Sequence, residues 1–192
     1  MANTDTPFGL KPVRLLGGSP YNGATLVFST ASGDGTAIYI GDPVKLSGTS
    51  STVDGVIYTD VDQAATGDVC VGVVTNVLPE SRDSLNYRAA STTRLVEVAC
   101  DPHLVFEIQE VSGGTPLAAA DIGLNANFVV AAGSATTGLS GVELNNATEA
   151  TTNTLDLQIV GIANRSDNEV GEHAKWLVRI NRHQFANQVA GI

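Results

Sequence analysis

The strictest pattern in this chain is an alternation of apolar and polar side chains with a period of two. Trp176, Val178 and Ile180 alternate with Leu177, Arg179 and Asn181, and Leu155, Leu157 and Ile159 alternate with Asp156 and Gln158. Leu104, Phe106 and Ile108 likewise point away from Val105, Glu107 and Gln109. Successive strand side chains face opposite sides of a sheet, so each stretch is a half-buried strand. The runs are short, and 20 Gly and 7 Pro among 192 residues keep interrupting them. Only Thr115-Pro116-Leu117-Ala118-Ala119-Ala120-Asp121 offers a capping residue, a first-turn proline and alanines in helical order. The expected fold is therefore all-β: a sandwich or barrel of short antiparallel strands with an extended N-terminal arm and at most one short helix.

Along the chain, Leu26-Val27-Phe28 runs into Ser32-Gly33-Asp34-Gly35, and Asp-Gly is a strong hairpin-turn pair. Ala37–Ile40, Val44–Leu46 and Val56–Tyr58 read as further short strands, with Ser47–Ser51 as a loop between the last two. Asp68 to Leu78 is nearly continuous in valine, which predicts a strand covered on both faces. Residues 133–154 are rich in Gly, Ser, Thr and Asn and predict a surface excursion. The domain division is an arm over 1–20 and a β-rich domain over 21–192, with residues around 113–154 as a candidate smaller lobe.

The arm differs from the rest in chemistry. Pro7 and Pro12 each remove a backbone donor, so neither a helix interior nor a central strand suits them. Between and after them stand Phe8, Leu10, Val13, Leu15 and Leu16, which need something apolar to lie against. Lys11 and Arg14 against Asp5 give residues 1–23 a charge of +1, whereas the whole chain carries −10. The arm is expected to be loose alone and to order on a partner. A second candidate contact is the loop holding Arg82, Tyr87 and Arg88, because Tyr and Arg are the residue types that anchor protein interfaces.

Acidity excludes other classes. Ten Lys and Arg against 20 Asp and Glu, with the cations scattered, do not build the clustered positive surface that releases counterions from a phosphate backbone. No nucleic acid is expected as a partner. No membrane is expected either, since no run approaches the roughly 18 apolar residues of a spanning helix. The opening Met1-Ala2-Asn3-Thr4-Asp5 lacks a signal peptide's basic and apolar regions. Synthesis in a cytoplasm follows, with Cys70 and Cys100 expected as reduced core residues and the sequons at Asn146 and Asn164 unused.

Reactive constellations are missing. There is no Gly-x-Ser-x-Gly, Walker loop, Gly-x-Gly-x-x-Gly or His-Glu-x-x-His, and His103, His173 and His183 never fall at a short metal-ligand spacing. Asp60 and Asp62 share a strand face, which reads as a solvated edge that blunts pairing with other chains. Ser166-Asp167-Asn168-Glu169 with Glu172 is oxygen-rich but lacks the glycine and spacing of an EF-hand. Trp176 is expected in the core. No catalytic residue, cofactor or metal is assigned.

Four stretches carry a resemblance. Pro7-Phe8-Gly9-Leu10-Lys11-Pro12-Val13, Gly41-Asp42-Pro43-Val44, Gly72-Val73-Val74 and the closing Ala174-Lys175-Trp176-Leu177-Val178-Arg179-Ile180-Asn181-Arg182-His183-Gln184 resemble cement (decoration) proteins of tailed bacteriophage heads. The resemblance implies a virion protein made in the host cytoplasm, bound to the outside of the shell and clamping neighbouring major capsid subunits. It also implies a cofactor-free homo-oligomer, with a trimer favoured over a dimer. The partner-binding residues expected on this reading are Phe8, Leu10, Lys11, Val13, Arg14, Leu15, Leu16, Arg82, Tyr87 and Arg88. A β-domain of a phage tail or host-surface recognition structure is the alternative, and a small hydrolase with a converged Asp/His site the third reading.

Overall fold

A computed structural model describes residues 3–192; Met1 and Ala2, the start of the expected arm, lie outside the described residues. Strand accounts for 39% of the chain and helix for 2%, so the protein is all-β. The helical share includes one 3-10 turn, Ala119–Asp121, at the end of the stretch predicted to be a short helix.

Two β-structures share the chain. β2 (Leu26–Thr30), β3 (Pro43–Val53), β4 (Val56–Gln63), β5 (Gly72–Val77) and β6 (Arg94–Ala99) close into a barrel in the order β2-β4-β3-β5-β6. All its pairings are antiparallel except β2 with β4, which run parallel at Ser29↔Asp60. A five-stranded barrel has a narrow interior, and β-branched valines fill it: Val44, Val61, Val71, Val74, Val96 and Val98 pack with Phe28 and Ile38. The second structure is a five-stranded sheet of β1 (Lys11–Leu15), β7 (Leu104–Gln109), β12 (Lys175–Ile180), β11 (Leu157–Ile162) and β8 (Asn125–Ala126), in that order. Trp176 lies opposite Ile108 and Val178 opposite Phe106, which puts the predicted apolar faces of β7 and β12 into one core. β9 (Phe128–Val129) and β10 (Glu143–Leu144) form a small ribbon, with Phe128 and Leu144 in the same core.

Several local expectations are corrected. The hairpin turn is Asp54-Gly55, not Asp34-Gly35. Asp54 and Gly55 have φ of 50° and 81°, as a two-residue turn between antiparallel strands requires, and Val53 pairs with Val56 across it. Asp34 is engaged elsewhere: its carboxylate accepts from the Thr36 N–H and from Arg88. Ser47–Ser51 is not a loop, because β3 passes through it with a register shift between Leu46 and Ser50. Asp60 is 1% exposed rather than on a solvated edge. It accepts hydrogen bonds from Ser29 and Thr49 Oγ1 and so helps fasten the parallel seam of the barrel, while Asp62 is half-buried. The 133–154 stretch is no mere surface excursion either: Ser140, Val142, Leu144 and Asn146 are buried.

The arm is also placed differently from expectation. β1 is an edge strand of the sheet, with Lys11 opposite Glu107 and Leu15 opposite Leu104, and Leu10 belongs to the sheet's core at 1% exposure. An edge tolerates Pro12, which has no N–H to donate. The natural division is thus barrel against sheet, with β1 contributing to the sheet.

Candidate docking surface

Three of the four segments of the resemblance meet at the seam between barrel and sheet. The Leu10 N–H donates to the Gly41 carbonyl at 2.9 Å, the Gly41 N–H to Val74 O at 2.8 Å, and the Val74 N–H to Asp42 O at 2.9 Å. Pro43 and Val44 pair with Val73 and Gly72. The last segment is β12, joined to β1 through β7. Gly41 has φ of 97°, and a Cβ there would lie 2.3 Å from Phe8 O, so only glycine lets the two backbones approach. Beneath them the buried Asp42 carboxylate accepts from Ser140 Oγ at 2.5 Å, Tyr39 N at 2.8 Å and Gln63 Nε2 at 2.9 Å. Burial pushes its pKa up to about 6 against the pull of these donors.

Above the seam lies a cleft of about 520 Å³ whose walls include Phe8, Leu10, Pro12, Tyr21, Ile40 and Leu139. Its charged lining is Lys11, Glu107, Arg165 and Lys175. Arg165 Nη1 bonds Glu107 Oε1 at 2.7 Å, and its Nη2 bonds Asp167 at 2.8 Å, which commits that member of the oxygen-rich loop. Of the expected arm contacts, Lys11, Arg14 and Leu16 are exposed, while Phe8, Val13 and Leu15 are half-buried. Leu10 is not available to a partner.

The 82–88 loop divides in the same manner. Arg82 is exposed. Tyr87 stacks on Tyr39 with ring centroids 4.8 Å apart and planes at 13°. Arg88 is fully buried, a correction to its expected role as an interface anchor. Its guanidinium donates to Thr30 Oγ1, Thr92 O, Asp34 Oδ2, Ala31 O and Thr36 O, locking the 31–36 loop beside β2. A buried fork with five donors suits arginine alone.

Sequence reasoning missed an apolar group at the barrel rim. Leu26 and Val27 of β2 are 55% and 39% exposed, and Val56 and Ile57 of β4 are 51% and 73% exposed. Leu26 precedes Ser29 by three residues, and Ile57 precedes Asp60 by three, so both mark the same end of the parallel pair. Asp54-Gly55 was the available signal: a turn there puts Val56 and Ile57 at a hairpin tip, where apolar side chains project into solvent.

Burial shifts the titratable groups of the interior. Glu110 accepts from Trp176 Nε1 at 2.7 Å, and burial raises it to about 7; Asp156 rises to about 6 for the same reason. Cys70 and Cys100 are free thiols, 1% and 7% exposed, and burial pushes both up to about 12, which keeps them as unreactive thiols. Burial also lowers His183, while His103 is exposed beside Asp101. Among the described residues, one group of three metal-ligating types converges: Asp5, Glu143 and His173. No helix is long and apolar enough to cross a membrane. No protein-family model, curated protein or solved structure matches this chain.

Proposed function

We propose that this chain is a structural component of a phage head that binds the outer shell and stabilises contacts between neighbouring major capsid subunits. The observation that carries the reading is the seam. Three of the four segments that resemble cement proteins are bonded to one another where barrel meets sheet, and the fourth, β12, lies one strand away across β7. The rim residues Leu26, Val27, Val56 and Ile57 supply apolar area for a shell contact, and Lys11 and Arg14 supply positive charge on an otherwise acidic protein. Contacts of this kind gain from repetition on a symmetric shell, so the chain acts as a homo-oligomer, first as a trimer at local threefold positions.

Purified virions test this directly. Quantitative mass spectrometry should find the chain at a copy number comparable to the shell protein. A Leu26→Asp/Ile57→Asp variant should keep its melting temperature yet fail to sediment with empty capsids. Absence from virions, or presence only in tail fractions, refutes the proposal.

A further inference from the structure

We infer a divalent-cation site built by Asp5, Glu143 and His173, three residues distant in sequence. Asp5 lies ahead of β1, Glu143 opens β10, and His173 stands just before β12. One potential ligand atom from each lies within 4.8 Å of the others. Zinc bonds of about 2.0–2.2 Å place ligand atoms roughly 3.5 Å apart, so a closure of about one ångström seats the ion. His173 Nδ1 lies 3.5 Å from Asp5 Oδ1 and is a buried atom with no hydrogen-bond partner, turned towards the two carboxylates.

Gln109 holds the carboxylates side by side. Its Nε2 donates to Asp5 Oδ1 at 2.8 Å and to Glu143 Oε1 at 2.9 Å, while its Oε1 accepts from the Thr6 N–H at 2.9 Å. A neutral amide spends both protons keeping two anions together and neutralises neither. The backbone at His173 is also held at φ of 59°, a conformation uncommon for a non-glycine residue. A divalent cation accounts for the arrangement: it cancels the paired charge and takes the free imidazole nitrogen.

One imidazole and two carboxylates form a borderline donor set for which late first-row ions such as zinc outcompete magnesium and calcium. Three protein ligands leave a tetrahedral position for water or for a side chain from a neighbouring molecule. The ion would tie the segment ahead of β1 to the ribbon and to the start of β12, clasping the chain's beginning onto the sheet.

Calorimetric titration of untagged, chelator-washed protein with Zn²⁺ tests the site. One equivalent should bind and raise the melting temperature, and Co²⁺ should give the visible absorption of a low-coordinate complex. Asp5→Asn removes an exposed ligand at no core cost and should weaken Zn²⁺ binding by roughly ten-fold or more, since even outer-shell changes cost that much. Glu143→Gln should do the same, and His103→Ala should change nothing. Failure of the wild-type chain to bind Zn²⁺ overturns the inference, as does equal affinity in the Asp5→Asn variant.

Discussion

Raising the pH from 5 to 8 should destabilise this protein, and Glu110 should account for the largest single share. Its side chain is buried, and desolvation lifts its pKa from 4.5 to about 7 despite the Trp176 indole N–H it accepts. The folded state therefore holds this proton more tightly than the unfolded chain does. Stability from that difference is fully present below pH 4.5 and is lost as pH rises through 7. Integrated between pH 5 and 8, the loss is on the order of 2–3 kcal/mol for Glu110 and about 1–2 kcal/mol each for Asp42 and Asp156. Asp68 has the opposite sign, because Lys45 at 2.7 Å holds it below its ordinary value. Its stabilisation is lost only as pH falls below 3.8, outside this window, whereas His183, lowered from 6.5 by burial, adds stability as pH rises and offsets part of the loss. Urea unfolding followed by fluorescence of the buried Trp176, the chain's one tryptophan, measures each curve. In Glu110→Gln the amide keeps an acceptor for the indole but cannot ionise. The free-energy difference between variant and wild type should thus change by roughly 2–3 kcal/mol across the interval. Parallel curves, or a wild type that gains stability towards pH 8, would refute the reasoning.

Two further outcomes follow from the packing. Arg88→Met should cost about 3–5 kcal/mol in urea unfolding, because it strands Asp34 and three backbone carbonyls; a cost below about 1 kcal/mol would place Arg88 with exposed ion pairs. Gly41→Ala should cost on the order of 3 kcal/mol, whereas Gly18→Ala, with φ of 92° and nothing within 4 Å, should cost only the backbone strain of about 1–2 kcal/mol. Equal costs would show that the contact with Phe8 contributes nothing.

Much of the fold was legible because period-two alternation is a local property. β7, β11 and β12 lie where the alternation of Phe106, Ile159 and Trp176 with their polar neighbours predicts. What misled was chemistry whose meaning depends on distant partners. Arg88 and Tyr87 have the composition of an interface loop, yet Arg88 faces carbonyls brought in from residues 31–36. Asp60 looks solvated until the parallel β2 delivers Ser29 to it. Leu10 and Leu15 have the look of a free arm, because nothing near residue 10 announces that β7 waits some ninety positions later. The convergence of Asp5, Glu143 and His173 was illegible for the same reason: no short spacing encodes it.

The order of strands also bears on how the chain is made. Every strand of the barrel comes from residues 26–99 without interruption, while the five-stranded sheet takes β1 from before that stretch and its other strands from after it. During synthesis the barrel has all its pairing partners once β6 has emerged. β1 precedes the barrel and has no sheet to join until β7 follows, and β7 stays open on its other side until β12 has been made. The barrel's entry and exit are themselves paired, Leu26 against Val98, so the chain leaves the barrel beside the point where it entered. That is the connectivity of an inserted domain: the barrel is one continuous segment between β1 and β7, tied to the sheet by the Leu10–Gly41 bond and by Val73 and Ala99 in the sheet's core.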